Sequence, residues 1–264
     1  RPGIIPGSFA PLTLRQLIPT IQVNVHSVKS LRELAWTNAA AEVAQGAAKP
    51  ESALTFEEYD VPIQTIAHWI KVSNQLLADA PAVAAYIDTR LRDGLEQRVD
   101  RQILLGDGLS PNLSGLTDAG NFTAFTATSG ANLVESINKA KYNRWAVGET
   151  VDTVVVNPAD WAAMELAREG NGTGAYLYGA PGMSGNMSPF GVQVVISANM
   201  PAGQFLIGSL RSASTIYQRQ GAVVEMGFVN DDFTKNLVTI RAEERLGLAV
   251  DRPVAIMYGP ITAA

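Results

Sequence analysis

The fold of this 264-residue chain is decided by the stretch from Ala47 to Pro81. Its informative segments read Ala47-Ala-Lys-Pro-Glu-Ser52, Thr65-Ile-Ala-His-Trp69 and Ser73-Asn-Gln-Leu-Leu-Ala-Asp-Ala-Pro81. The first places a lysine directly before a proline, and the second alternates as a strand does. The third leads into a long predicted helix, with Asp79 as a suitable cap and Pro81 in its first turn. The stretch therefore predicts a loop, a strand and a long helix in succession.

The long helix carries a narrow apolar stripe along one side. Its apolar residues recur at every fourth position: Ile87, Leu91, Leu95, Val99 and Ile103. Charged residues occupy the other faces, so one side is expected to pack and the other to remain in water. Gly106-Asp-Gly108 and Pro111 end the helix after roughly six turns. The sequence thus predicts a spine for the fold.

Strand patterns lie on both sides of the opening stretch. Ile21, Val23 and Val25 alternate with polar residues and predict a half-buried strand. Residues 31–60 predict a long projecting hairpin with a turn at Gln45-Gly46 and few residues able to form a core. Val61 to Val72 is predicted as one strand whose two faces are the following: Ile63, Thr65, Ala67 and Trp69 on one side; Gln64, Ile66, His68 and Ile70 on the other.

After the spine the composition shifts, and helices alternate with short strands. We expect a domain boundary near Leu116, because this alternation is unlike the flanking segments. The predicted elements are a helix at Leu133–Trp145, a buried strand at Val151–Val156, a helix opened by Asn157-Pro158 and running to Arg168, a glycine-rich loop at 170–188, and strands at Val192–Ile196 and Phe205–Ile207.

The last third returns to strand chemistry. Residues 223–229 and 233–245 predict a hairpin around the turn Asn230-Asp-Asp232, and this hairpin is expected to pair with the strand near His68. A final strand is predicted at Val254–Met257. The overall pattern is α+β, with one domain built from discontinuous segments.

Composition favours a surface that other subunits cover. Hydrophobic residues make up 47% of the chain and charged residues 17%, fewer charges than a soluble monomer usually carries. The net charge of −5 argues against a basic face that grips nucleic acid. The absence of cysteine excludes disulfides and thiolate sites, and no apolar run approaches the ~20 residues of a membrane span. With two histidines and no cysteine, no metal and no cofactor are expected.

Short motifs in a fixed order connect the chain to a known family. They are Pro2-Gly-Ile-Ile5, Lys49-Pro-Glu-Ser52, Thr65 to Trp69, Gly106-Asp-Gly108 with Gly115-Leu116, Asn157-Pro158 with Asp160-Trp161, and Lys235-Asn236 through Glu243-Glu-Arg-Leu246. In these motifs and in its order of elements the chain resembles the Hong Kong 97 type major capsid proteins of tailed bacteriophages. The resemblance covers essentially the whole chain.

The resemblance implies an α+β fold with an amino-terminal arm, a hairpin called the E-loop, a spine helix, a peripheral P-domain and an axial A-domain inserted within it. The implied divisions are residues 1–27 for the arm and first strand, 28–60 for the E-loop, 61–115 for the P-domain with the spine helix, 116–221 for the A-domain, 222–250 for the P-domain strands and 251–264 for the return to the A-domain.

The implied function is assembly of an icosahedral head from pentamers and hexamers of the same chain around double-stranded DNA, which it meets by non-specific proximity. The expected location is the virion, after assembly in the cytoplasm of the host bacterium, with no membrane partner. Portal, decoration protein and prohead protease are the further partners implied. In this family the protease removes an amino-terminal segment, so cleavage is expected to have produced Arg1, rather than simple shortening of the sequence.

The resemblance also implies an autocatalytic isopeptide crosslink between subunits, without enzymatic turnover. Its lysine, asparagine and glutamate correspond to Lys49, Asn236 and Glu243. A lysine ammonium, with a pKa of about 10.4, must lose a proton before it attacks, and a glutamate in an apolar site can accept that proton. An asparagine amide supplies both the electrophilic carbon and the leaving ammonia. Asn236 and Glu243 are seven residues apart, so a regular strand would point them to opposite faces, and more than one subunit would be needed.

Several alternatives remain open at this stage. Lys49 could be an ordinary solvated charge and Glu243-Glu244-Arg245 a surface ion-pair cluster, in a shell held without covalent bonds. The same fold could serve an encapsulin-type nanocompartment that houses cargo enzymes. From another class, the chain could be an α+β enzyme with the glycine-rich loop as a lid, although it has no acid, base and nucleophile constellation.

Overall fold

The computed structural model describes residues 14–79, 81–168, 174–176 and 191–263. The four prolines between Arg1 and Pro19 predict an extended arm, and its residues up to 13 lie outside the described part of the chain. Most of the predicted glycine-rich loop also lies outside it. The side chain of Asp79, the predicted helix cap, also lies outside what the structure describes. From Arg15 to Leu17 the chain forms a turn of 3-10 helix. The prediction of extended structure is therefore wrong for this last part of the arm.

The described residues form eleven strands and five α-helices. In chain order they are β1 (Thr20–Gln22), β2 (Ser27–Thr37), β3 (Ala53–Pro62), β4 (Gln64–Ser73), α1 (Asn74–Asp79), α2 (Pro81–Leu105), β5 (Thr123–Ala124), α3 (Leu133–Ala146), β6 (Thr153–Val156), α4 (Pro158–Glu165), β7 (Gln193–Ile196), β8 (Gln204–Gly208), α5 (Leu210–Ala213), β9 (Ser214–Gly227), β10 (Leu237–Val250) and β11 (Ile256–Pro260). No helix in this part of the chain combines the length and the apolar character of a membrane span.

The predicted long hairpin is confirmed as β2 and β3. The two strands pair antiparallel from Ser27 opposite Pro62 to Thr37 opposite Ala53. Leu31 is 65% exposed, because two strands alone cannot enclose a core. The hairpin therefore presents apolar side chains to solvent.

The single strand predicted from Val61 to Val72 is wrong, because the segment divides between two sheets. β3 ends at Pro62, which has no N–H to donate to a ladder. The Ile63 N–H instead donates to the His26 carbonyl, and the chain then enters β4. The predicted alternation does hold within β4, where residues alternate between half-buried and exposed.

Helix α2 forms the predicted spine, and most of its stripe is buried. Leu91, Leu95, Val99 and Ile103 are all at most 3% exposed. His68 of β4 meets the helix, with its Nε2 2.8 Å from the Leu91 carbonyl oxygen. A short helix, α1, occupies the segment between β4 and α2.

The sheet against the spine has the order β1-β9-β10-β4. β9 and β10 form the predicted hairpin, and Ala242 of β10 lies opposite His68 of β4, so the predicted pairing is confirmed. β1 pairs in parallel with β9 at the sheet edge. The half-buried strand predicted from Ile21 to His26 is wrong, because β1 has three residues and all of them are exposed in this chain.

The second sheet has the order β5-β11-β8-β6-β7 and is packed against α3 and α4. Asn157 caps α4 with Pro158 in its first turn, as the sequence predicts. Asn132 begins α3 in a capping box with Glu135. The extension of α4 to Arg168 is wrong, because Arg168 forms a β-bridge with Tyr176 instead.

Candidate crosslinking site

Lys49 lies in the segment that connects β2 and β3. This segment, residues 38–52, has no regular structure and turns at Gly46, whose φ of 86° is in the region that glycine adopts most readily. The Ala39 N–H donates to Ser52 Oγ across the base of the segment at 3.1 Å. Lys49 is exposed, so its ammonium is accessible to a neighbouring molecule.

Asn236 lies in the turn between β9 and β10. Its φ is 55°, a left-handed conformation that asparagine tolerates better than most residues. The Asn74 N–H donates to the Asn236 carbonyl oxygen, and Asn74 Nδ2 donates to Asn236 Oδ1, both at 3.0 Å. Asn236 is otherwise exposed. Its amide is therefore held in place and open to solvent.

A buried carboxylate closes the turn that holds Asn236. The Asp232 carboxylate accepts hydrogen bonds from Lys71 Nζ at 2.7 Å, from Thr239 Oγ1 at 2.6 Å and from the Val229 N–H at 2.9 Å. The bond from Lys71 is the main reason that the pKa of Asp232 is lowered to about 2. The Leu237 N–H also donates to the Asp232 carbonyl oxygen. Asp232 thus joins the turn to both neighbouring strands.

Glu243 lies within β10, on the sheet face that points away from the spine. Its side chain is 14% exposed and pairs with Arg245, with both Arg245 Nε and Nη2 3.0 Å from Glu243 Oε1. Arg241 Nη2 is 3.7 Å from the other carboxylate oxygen. In the single chain Glu243 is thus an ion-paired carboxylate rather than one in an apolar pocket.

The structure does not bring the three predicted residues together. The register irregularities between β10 and β9 begin after Glu243, so the strand is regular from Leu237 to Glu243. At about 3.3 Å per residue, Asn236 and Glu243 are about 23 Å apart along the chain. The prediction that Asn236 and Glu243 point to opposite faces of one regular strand had a wrong premise, because Asn236 precedes the strand and has a left-handed backbone. The separation still prevents one chain from presenting both residues to one lysine.

A cleft of about 340 Å³ lies on the same sheet face as Glu243. Trp69 is 59% exposed and Met226 65% exposed along its rim. Strand alternation predicts that Trp69 lies on one face, but no pattern in the sequence indicates whether that face is covered. Among the described residues, no group of His, Asp and Glu side chains is arranged to hold a metal ion.

Glu244 is a structural residue that the sequence analysis missed. It is fully buried and accepts hydrogen bonds from Arg15 and from Gln218 Nε2 at 2.7 Å, so only part of the predicted surface ion-pair cluster is at the surface. Asp100 accepts from the N–H groups of Leu14 and Arg15, and burial raises the pKa of its carboxyl. The alternation of side chains along a strand could have indicated the role of Glu244. Glu244 shares the buried face with Ala242 and Leu246, and a buried charge there needs a partner.

Comparison with known proteins explains the combination of an exposed hairpin, a spine and two sheets. The sequence profile described as the phage capsid family matches residues 1–261. The chain belongs to the phage capsid family. The major capsid protein of Enterobacteria phage HK97 is 36% identical over 265 residues, which cover 99% of this chain and 68% of that protein. The resemblance seen in the sequence motifs is thus confirmed.

Solved structures agree on the fold of this capsid family member. The capsid of a native GTA particle has a TM-score of 0.79 at 19% identity, covering 100% of this chain and 94% of that chain. A chain of Microbacterium phage Oxtober96 has a TM-score of 0.74 at 16% identity, covering 99% and 94%. The predicted α+β fold of the Hong Kong 97 type is therefore confirmed.

Membership of this family also decides between the hypotheses left open by the sequence. The family is one of structural proteins of phage particles, which disfavours the enzyme hypothesis. The identity with a phage major capsid protein favours the phage interpretation over the encapsulin interpretation.

Proposed function

We propose that this capsid protein assembles, as pentamers and hexamers of identical chains, into the icosahedral head of a tailed bacteriophage around double-stranded DNA. The observation that carries the proposal is the family match over residues 1–261 together with the 36% identity to a phage major capsid protein. Assembly takes place in the host cytoplasm. The portal, a decoration protein and the prohead protease are further partners. The net charge of −5 fits a shell wall that DNA touches without specific binding.

The exposed apolar surface supports self-assembly. Leu31 and Phe56 are exposed on the hairpin, while Trp69 and Met226 are exposed where they line the cleft. Exposed apolar groups that cluster in this way are typical of protein–protein contacts. Neighbouring subunits would cover both surfaces.

The domain division supports the same proposal. The sheet β1-β9-β10-β4 with α2 lies mainly in the proposed P-domain at 61–115 and 222–250, but β9 begins at Ser214, before that boundary, and β1 lies in the arm. The sheet β5-β11-β8-β6-β7 lies in the proposed A-domain at 116–221, which is rejoined at 251–264. Residues 28–60 are the E-loop, and residues 1–27 are the arm and first strand. Each boundary is a proposal that limited proteolysis of unassembled chains would test.

A covalent crosslink between Lys49 of one subunit and Asn236 of another is the finer part of the proposal. The neutral Lys49 amine attacks Asn236 Cγ, a new C–N bond forms, and the Cγ–Nδ2 bond breaks. Glu243 of a third subunit takes the proton from the amine and delivers it to the departing ammonia. The products are one isopeptide bond and one ammonia, and no oxidant or reductant is required.

Three features of the structure support this step. Lys49 is exposed on the hairpin, and Asn236 is exposed in a fixed turn. Glu243 lies on the sheet face that carries Trp69 and the cleft, where a neighbour's hairpin would displace water, although Glu243 must exchange its contact with Arg245 before it can accept a proton. Because the reacting groups are on different subunits, unassembled chains are expected to be inert.

Denaturing gel electrophoresis of purified particles tests the crosslink. Wild-type particles should give a ladder of linked species after boiling, and Lys49→Ala particles should give the monomer alone. Lys29→Ala is the matched control, because Lys29 is an exposed lysine on the same hairpin that pairs with Glu58. A monomer band from wild-type particles would defeat the crosslink and leave the capsid function intact.

A further inference from the structure

Asn74 makes two contacts with Asn236 that the crosslinking scheme does not use. Asn74 is the first residue of α1 and directly follows β4, whose last residue, Ser73, lies opposite Leu237. This register places Asn74 beside Asn236. The Asn74 N–H donates to the Asn236 carbonyl oxygen, and the Asn74 side-chain amide donates to Asn236 Oδ1, both at 3.0 Å.

We propose that Asn74 is a catalytic residue of the crosslink, as the hydrogen-bond donor that stabilises negative charge on Asn236 Oδ1. The inference rests on the proposed Lys49–Asn236 reaction and adds a fourth residue to it. Asn74 contacts the oxygen of the amide that reacts, and it belongs to the same subunit as Asn236. The donor is therefore in place before a neighbouring subunit supplies the lysine.

The chemistry of amide attack requires a donor at this oxygen. When the Lys49 amine adds to Asn236 Cγ, the electron pair of the carbonyl bond moves to Oδ1, which becomes an oxyanion. The charge returns to carbon as the Cγ–Nδ2 bond breaks and ammonia leaves. A donor already aimed at Oδ1 stabilises this intermediate more than it stabilises the starting amide.

The same contact fixes which way the amide faces. With Oδ1 bound to Asn74, the Nδ2 of Asn236 lies on the other side of Cγ, where a proton can be delivered to it. The backbone contact and the left-handed φ of 55° hold the residue that carries this amide. Asp232 closes the turn from within, through its contacts with Thr239 and Val229. The electrophile is thus rigid on one subunit, while the nucleophile is on an exposed segment of another.

Crosslinking rates in assembled particles test the role of Asn74. Asn74→Ala should slow formation of the ladder by about 100-fold, as expected when one oxyanion donor is lost. Asn74→Asp, which has the same shape but presents an acceptor at neutral pH, should be slower still. Gln75→Ala is the control, because it alters an exposed neighbour on the same helix and should ladder at the wild-type rate. Electron microscopy would confirm that each variant forms shells before its rate is measured.

The pH dependence distinguishes a donor from a structural support. The carboxyl of Asn74→Asp regains an O–H donor when it is protonated, with an ordinary pKa of about 3.9. The ratio of its rate to the wild-type rate should rise as the pH falls from neutral toward that value, while the ratio for Asn74→Ala should stay level. If Asn74→Ala forms no shells, the Asn74→Asp ratio decides alone, and a ratio that does not change with pH overturns the proposal.

The possible failures are separable. An Asn74→Ala ladder that forms as fast as the wild-type ladder overturns the role of Asn74 and leaves the crosslink standing. Wild-type particles that form no linked species overturn the crosslink, and the role of Asn74 with it.

Discussion

Replacement of Arg15 by methionine tests the buried ion pair at the root of the amino-terminal arm. Glu244 is fully buried and Arg15 is 21% exposed, and both guanidinium Nη groups donate to the carboxylate. Methionine keeps the length and the apolar stem of the side chain but removes the cation. Glu244 then keeps only its bond from Gln218 among these contacts.

The expected loss follows from the environment of the carboxylate that remains. Removing one partner of a buried ion pair typically costs about 3–5 kcal/mol, because the other charge is left without compensation. The partial exposure of Arg15 and the remaining bond from Gln218 favour the lower end, about 3 kcal/mol in the free energy of unfolding. This corresponds to about a 100-fold change in the folding equilibrium.

Equilibrium urea denaturation of unassembled chains, followed by tryptophan fluorescence, measures this loss. The double variant Arg15→Met/Glu244→Gln should recover most of it, because the buried charge has also been removed. Lys29→Met is the control, since the Lys29–Glu58 pair is 72% and 54% exposed and should contribute little to the free energy of unfolding. The reasoning is refuted if Arg15→Met costs no more than this control, or if the double variant is no more stable than the single one.

Three further predictions concern the spine, the turn and the hairpin root. Leu95→Ala should lower the free energy of unfolding, measured by urea denaturation, by about 2–5 kcal/mol, because Leu95 is 1% exposed within the core between helix and sheet. A loss below about 1 kcal/mol would contradict that packing. Asp232 has a pKa lowered to about 2, against about 3.9 when unfolded, so it stabilises the fold above pH ~4 and this contribution is lost as the pH falls toward 2. Asp232→Asn should therefore flatten the plot of stability against pH across that window, and an unchanged slope there would argue against the buried carboxylate. Asp251 Oδ1 accepts hydrogen bonds from Ser30 Oγ at 2.6 Å and from the Tyr59 hydroxyl at 3.0 Å. Asp251→Ala should therefore speed amide hydrogen exchange in the hairpin by about tenfold and leave exchange in the spine helix unchanged. Equal acceleration in both elements would show general destabilisation instead.

Local patterns in the sequence were sufficient for the elements that depend on local chemistry. The four-residue apolar repeat of α2 follows from helix geometry, and the cap of α4 follows from an asparagine side chain that accepts a backbone N–H group. The long hairpin followed from strand-favouring residues and from the turn at Gly46. Each of these features is decided within a few residues.

Errors arose where distant residues decide the structure. The sequence from Val61 to Val72 reads as one strand, but Pro62 ends β3 and the chain then pairs with β10 across the other sheet. Ile21 alternates as if half-buried, yet its strand lies at a sheet edge and is exposed. A one-dimensional pattern does not specify which strand or which subunit supplies the partner.

The candidate site shows the same limit. The resemblance predicted which residue types react, but the position of Asn236 before β10, in a left-handed turn, depends on the closing contacts of Asp232. The contact with Asn74 depends on the register of β4 against β10, which joins residues more than 160 positions apart. Nothing near Asn74 in the sequence indicates that its side chain meets the reacting amide.

Mass spectrometry of peptides from purified mature particles tests the central proposal most directly. A peptide containing Lys49 joined to one containing Asn236, lighter by one ammonia than the two together, is the result that a covalently linked shell requires. The same peptides recovered only separately, each at its unmodified mass, would contradict it.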